Sequence, residues 1–116
     1  MAQARQRLID ARQFLEAAEL LDAPDVIATC AIHAAIAAAD AITCHALGER
    51  SGDGNHLSAV DLLRRVDAKL ATTLKRALDR KTQSAYESAD VSAGNAASCV
   101  RWARQLLAAA ETRLES

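Results

Sequence analysis

The chain has 116 residues, a formal net charge of −1 and only three aromatic side chains, and it is rich in alanine. A chain of this length forms one domain with one hydrophobic core, here residues 1–116, and needs neither disulfides nor a structural metal for stability. The near-neutral charge excludes a strong overall attraction to nucleic acid, so any such attraction must come from a local surface. The N-terminus lacks the apolar run of a secretory signal, and the odd number of cysteines predicts reduced thiols in a cytoplasmic protein.

Helical periodicity begins near the N-terminus. Apolar residues recur at spacings of three and four between about residues 3 and 22, which predicts a first helix. Pro24 should end it, because the residue before a proline resists the α conformation. A second helix is predicted from about residue 25 to residue 47, with a face of small side chains and with Gly48 as its C-terminal cap.

The second predicted helix is apolar enough to raise the question of a membrane span. However, it contains His33, Asp40 and His45, and most of its apolar residues are alanine. These features favour the buried helix of a soluble bundle, and no membrane association is predicted.

The second half of the chain predicts two further helices. Ser58 and Asp61 resemble a capping box at the start of a third helix, which is expected to continue to Lys81 with room for a bend near Val66 and Asp67. The polar residues that follow predict a loop or a short helix. Ser92 is the expected N-cap of the last helix. The sequence therefore predicts an all-α, up-and-down bundle of four to five helices.

Positive charge is concentrated in the second half of the chain. Residues 1–60 carry four Lys or Arg against eight Asp or Glu, whereas residues 61–116 carry ten against seven. The excess is greatest between residues 64 and 81, and such a surface could contact phosphates or be an ordinary solvated face. The candidate nucleic-acid-binding residues are Arg64, Arg65, Lys69, Lys75, Arg76 and Arg80.

Two residue pairs are candidates for catalysis. Arg50 and His56 flank the glycine-containing segment 48–55; an arginine can hold a phosphate while a histidine transfers a proton near neutral pH. Together they could cleave RNA without a metal, although a chance polar pair is the simpler interpretation. Lys81 and Tyr86 form the second pair, but a tyrosine of ordinary pKa is a poor general base.

The polar residues of the second helix have other interpretations. Cys30, His33 and Cys44 project to similar sides, but His33 and Cys44 are separated by about 16 Å along the helix axis, so one ion cannot bind both. No metal site and no cofactor are predicted. His33 and Asp40 share a face two turns apart and are expected to line a polar seam or a dimer contact, or to be exposed.

The order of several segments resembles the HEPN superfamily of small helical bundles. The alanine-rich stretch 31–42 is similar to the family's helix with an embedded histidine or tyrosine. Residues 48–56, then 59–63, then 81–86, and finally 103–107 follow in the family's order and span nearly the whole chain.

This resemblance implies a four- or five-helix bundle, a homodimer, and a bacterial toxin–antitoxin or defence system. Active members of the family are metal-independent RNases with an Arg-x4-6-His motif near the start of the last long helix. In this chain Lys81 and Tyr86, or Arg80 and Tyr86, occupy that place without a histidine, and the Arg50–His56 pair comes one helix earlier.

The favoured hypothesis is therefore a non-catalytic or weakly active HEPN-like module that binds nucleic acid, a nucleotide or a cognate protein partner. Two alternatives remain. One is a metal-independent endoribonuclease that uses Arg50 and His56 or Lys81 and Tyr86; the other is a purely structural dimerising module.

Overall fold

The computed structural model describes residues 2–50, 56–86 and 92–115, with the side chains of residues 81–86 left out of the description. Within these residues it contains no strand and five helices. The all-α bundle predicted from the sequence is therefore confirmed. The helices are Ala2–Leu20 (α1), Pro24–Leu47 (α2), His56–Arg64 (α3), Ala68–Tyr86 (α4) and Ala93–Glu115 (α5).

Helix α2 lies at the centre of the bundle and packs against each of the other four helices. All seven consecutive residues 37–43 of this helix are buried, which means that it has no solvent-facing side over two turns. Four of the seven are alanines, whose small side chains allow neighbouring helix axes to approach on every side. The alanine content of the sequence thus has a packing role beyond helix propensity.

The ends of α2 follow the predicted chemistry. Pro24 occupies the first turn, where its missing N–H leaves no intrahelical bond unmade. At the other end Gly48 adopts a left-handed φ of 71°, and its N–H donates to the carbonyl oxygen of Cys44 at 3.0 Å. Helix α1 ends at Leu20, two residues earlier than predicted.

The predicted third helix is two helices, separated by a break at residues 65–67. The Asp67 side chain accepts hydrogen bonds from the backbone N–H groups of Lys69 and Leu70, at 2.9 and 3.1 Å, and so acts as the N-cap of α4. This break lies at Val66 and Asp67, where the sequence predicted room for a bend in one continuous helix. Because the cap competes with continuous helical hydrogen bonding, the chain stops and restarts instead of bending.

Two local predictions were wrong. Helix α3 begins at His56, so Ser58 lies inside the helix rather than at its cap, and Asp61 pairs with Arg64 at 3.2 Å. Helix α4 continues to Tyr86, through the first part of the polar stretch that predicted a loop or short helix; the rest of that stretch, residues 87–91, lies outside the described residues. The predicted N-cap of α5 is confirmed, because Ser92 Oγ accepts a bond from the Asn95 N–H at 3.0 Å.

Helix α2 is also the one described helix that is long and apolar enough to cross a membrane. However, 67% of its most apolar stretch is buried inside the bundle. The core helix of a soluble protein has this arrangement, because its apolar surface is already covered by its neighbours.

The close packing around α2 predicts that enlarging a buried alanine destabilises the protein. Ala38 has no exposed surface, and the Ala38→Leu substitution should lower the free energy of unfolding by about 2–3 kcal/mol, as measured by urea denaturation. Ala46 is exposed on the same helix and serves as the matched control, with an expected change within about 0.5 kcal/mol for Ala46→Leu. Equal effects of the two substitutions would contradict the central position of α2.

Candidate functional site

Three of the six basic residues predicted to bind nucleic acid are engaged in ion pairs with neighbouring carboxylates. The pairs join Arg64 to Asp61 at 3.2 Å, Arg65 to Glu49 at 3.5 Å, and Lys75 to Asp79 at 2.9 Å. Exposed pairs of this kind contribute little to stability, but they reduce the positive charge available to a phosphate. The predicted patch is therefore much less positive than the sequence indicates.

Three predicted residues of α4 differ from these. Lys69 and Arg76 are exposed, and neither forms an ion pair with any residue that the structure describes. Arg80 is half-buried; its Nη1 donates to Asn95 Oδ1 at 2.9 Å, and its guanidinium lies 5.7 Å from the centre of the Trp102 ring. This distance allows a cation–π interaction that holds the two side chains together.

An open cleft of about 360 Å³ lies between α4 and α5 at this point. Its lining comprises Arg76, Asp79, Arg80, Arg101 and Trp102. Arg101 is exposed and pairs with no carboxylate in the described part of the chain. The Asp79 carboxylate is bound by the Lys75 ammonium, so the cleft has an excess of positive charge. Guanidinium groups beside an aromatic ring are suited to bind phosphate and to pack against a base.

Sequence reasoning missed Arg101 and Trp102. Both come some twenty residues after the basic stretch, on a helix whose own charges are mixed. The available signal was weak: the only tryptophan of the chain adjoins an arginine. Only the packing of α5 against α4 brings this pair beside Arg76 and Arg80.

A second polar cluster lies between α1 and α2. Asp40 is only 4% exposed, and its Oδ2 accepts a hydrogen bond from Arg7 Nε at 3.1 Å and lies 3.0 Å from Arg7 Nη2. Arg7 Nη1 also donates to Asp10 Oδ2 at 3.0 Å. The arginine thus bridges a buried and a more exposed carboxylate.

Burial raises the pKa of Asp40 above its ordinary value, because the charged form is desolvated. Arg7, through its charge and its hydrogen bond, and more weakly the charges of Arg50 and His56, act in the opposite direction and lower that pKa. Both candidate catalytic residues thus lie within electrostatic reach of the same carboxyl group. Their side chains are exposed, at the two ends of a segment whose residues 51–55 are outside the described part.

His33 and Asp40 were expected to line a polar seam or a dimer contact, or to be exposed; His33 is exposed, Asp40 is buried, and both side chains contact α1. The imidazole of His33 stacks on Phe14 with ring centres 5.2 Å apart, whereas Asp40 binds Arg7. Among the described residues no group of three or more His, Cys, Asp or Glu side chains is arranged to hold a metal ion. Cys30, Cys44 and Cys99 are free thiols.

The candidate pair Lys81 and Tyr86 belongs to the C-terminal part of α4, with its side chains outside the described set. Their roles therefore stay predictions from the sequence.

The raised pKa of Asp40 predicts how stability depends on pH. A carboxyl whose pKa is higher in the folded than in the unfolded state contributes stability below the unfolded pKa and loses it as pH rises through the folded value. The unfolding free energy of the wild type relative to Asp40→Asn should therefore fall as pH increases from about 4, where an unfolded Asp ionises. Urea denaturation of both proteins between acidic and neutral pH measures this difference.

The Arg7→Ala variant tests the cause of this dependence. Without the arginine, the pKa of Asp40 should rise further, and stability should decline more steeply with pH than in the wild type. If instead the free energy of unfolding of the wild type rose with pH relative to that of Asp40→Asn, the charge of Arg7 would outweigh desolvation in setting the pKa of Asp40.

Comparison of the chain with family models, curated proteins and solved structures finds no match in any of the three. The resemblance to HEPN bundles therefore rests on the order of segments in the chain itself, and function has to be argued from the side chains described above.

Proposed function

We propose that this protein is a cytoplasmic HEPN-like module that binds RNA or a nucleotide through the cleft between α4 and α5. The observation that carries the proposal is the convergence of Arg76, Arg80 and Arg101 around Trp102. Binding without cleavage is the favoured activity, because the family's histidine has no counterpart at the end of α4.

The chemistry of the cleft supports a phosphate-containing ligand. Each guanidinium presents N–H donors in a plane that matches two phosphate oxygens, and it stays charged at any physiological pH. Arg80 is oriented by Asn95 and Trp102, so it loses little side-chain freedom when a ligand binds. The single aromatic ring can pack against one base but cannot form a stacking platform for a long single strand.

The proposed biological setting follows from the resemblance to HEPN domains. It is a bacterial toxin–antitoxin or defence system in which the module forms a homodimer or binds a cognate protein. A symmetric dimer would present two copies of the cleft to one RNA and so increase its apparent affinity.

The proposal predicts that RNA binding depends on Arg76 and Arg101, the two cleft arginines without an ion pair to a described residue. Arg76→Ala and Arg101→Ala should each weaken binding about tenfold at low salt. Each should also reduce the slope of log affinity against log salt concentration by about one. Fluorescence anisotropy of labelled RNA measures the affinity. Because Trp102 is the only tryptophan, its emission reports independently on occupation of the cleft.

Arg5→Ala is the matched control for these variants. Arg5 is exposed on α1, outside the cleft, and forms no ion pair with a described residue. Its replacement by alanine removes one positive charge, as the two cleft substitutions do, but does not alter the cleft. We expect less than a twofold effect on RNA affinity. Equal weakening by all three substitutions would indicate nonspecific attraction, and an absence of RNA binding would favour the structural module.

A second candidate function is metal-independent RNA cleavage by Arg50 and His56. The favouring observation is that both side chains are exposed, at the two ends of one short segment of the chain. In such a site Arg50 would hold the phosphate, and His56 would accept the proton of the attacking 2′-hydroxyl.

This candidate predicts RNA cleavage in the presence of EDTA that is reduced about 100-fold or more in His56→Ala. Gel analysis of labelled total RNA measures the rate. His33→Ala is the control, because His33 is an exposed histidine on a different helix, stacked against Phe14. Intact RNA after incubation with the wild type, or equal activity of both variants, would exclude this site.

A further inference from the structure

Two exposed arginines without a carboxylate partner among the described residues lie together between α4 and α5. Ion pairs engage Arg64 on α3, Arg65 just after it and Lys75 at the middle of α4. Of the exposed cations of α4 and α5 without a described carboxylate partner, Arg76 and Arg101 line the same cleft, whereas Lys69 lies two turns away, about 10 Å along the helix axis. An extended polynucleotide needs charges spaced along its backbone, and this surface offers a compact group instead.

The dimensions of the cleft also favour a compact ligand. Its volume of about 360 Å³ is near the lower limit of small-molecule sites, which commonly run from about 300 to 1,000 Å³. It contains one aromatic ring, Trp102, which is sufficient for one base. A single phosphorylated nucleoside, free or at the end of a chain, fits these properties better than the interior of an RNA strand.

We propose that the cleft is selective for a phosphate monoester, as found in a 5′-mononucleotide or at the 5′-phosphorylated end of an RNA. This inference rests on the proposed function and specifies its ligand. Arg76 and Arg101 bind the phosphate from two helices, and Arg80 positions the Trp102 ring against which the base packs.

Charge is the physical basis of the selectivity. A phosphate monoester carries nearly two negative charges at neutral pH and has three terminal oxygens, whereas an internal phosphodiester carries one charge and has two. Two guanidinium groups, each able to bind two oxygens, match the first arrangement. A ligand that lacks the terminal phosphate leaves at least one of the two guanidinium groups without an anionic partner in the complex.

The experiment is a titration of Trp102 fluorescence at fixed ionic strength with four probes. They are AMP, adenosine, a short oligoadenylate with a 5′-phosphate and the same oligoadenylate with a 5′-hydroxyl. We expect AMP to bind at least tenfold more tightly than adenosine, and the 5′-phosphorylated oligoadenylate at least tenfold more tightly than its 5′-hydroxyl form. Preference for AMP over the phosphorylated oligoadenylate would identify a free nucleotide as the ligand, and the reverse would identify an RNA end.

Variants show where the selectivity originates. Arg76→Ala and Arg101→Ala should each reduce the preference for the phosphorylated probes about tenfold or more, and circular dichroism verifies that they remain folded. Arg5→Ala removes an equal charge on α1, outside the cleft, and should leave the preference unchanged. Selectivity that survives both cleft substitutions would overturn the assignment of Arg76 and Arg101.

The two proposals fail in different ways. Equal affinity for the 5′-phosphate and 5′-hydroxyl oligoadenylates, with loss of binding in Arg101→Ala, would overturn the selectivity while leaving the cleft as an RNA-binding site. A comparable loss in Lys69→Ala would indicate an extended binding track and would also overturn the selectivity for an end. No response to any of the four probes would overturn both proposals.

Discussion

The packing of four helices around α2 is the constraint on which the rest of the structure depends. A helix that is surrounded over two turns has room for few large side chains there, and four of residues 37–43 are alanine, with Ile42 as the largest side chain among them. Alanine buries little apolar area per residue, so the larger buried side chains, Ile32 and Ile42 of α2 among them, contribute most of that area. The fully buried Leu63, Leu74 and Leu106, on three different helices, also supply that area. The arrangement fixes where α4 and α5 meet, and hence where the arginine cleft lies.

The distribution of charge shows why composition alone is a poor guide to a binding surface. The basic stretch of the sequence has a large local excess of positive charge, yet Arg64, Arg65 and Lys75 are each paired with an acidic residue from their own or an adjacent segment. The positive charge that can still attract a ligand comes from a few arginines on two helices that are distant in sequence. In physical terms, a ligand responds to charges that are not already neutralised within a few ångströms, and only the fold determines which those are.

The elements that could be predicted from the sequence are those governed by local chemistry. The helical periodicity, the proline at the start of α2, the glycine at its end and the serine cap of α5 all act within a few residues. The break at Asp67 could only be anticipated as a bend, because no glycine or proline marks it and one capping carboxylate decides the outcome. The cleft could be predicted only in part. Arg76 and Arg80 were found from the charge run, but the contribution of α5 depends on tertiary packing, which a linear pattern does not encode.

The buried contact between Asp40 and Arg7 has a consequence for the uniqueness of the fold. The stretch of α2 around Asp40 is mostly alanine, so a rotation of the helix by one residue, or about 100°, changes the shape of this stretch less than it would for larger side chains. Within this stretch, shape alone discriminates weakly between alternative registers. Rotation would carry the Asp40 carboxylate away from Arg7 and leave a desolvated charge facing apolar side chains, which is energetically costly. The ion pair thus favours the same register of α2 as the fully buried Ile32 and Ile42 side chains, as a polar residue favours one register at the interface of a coiled coil.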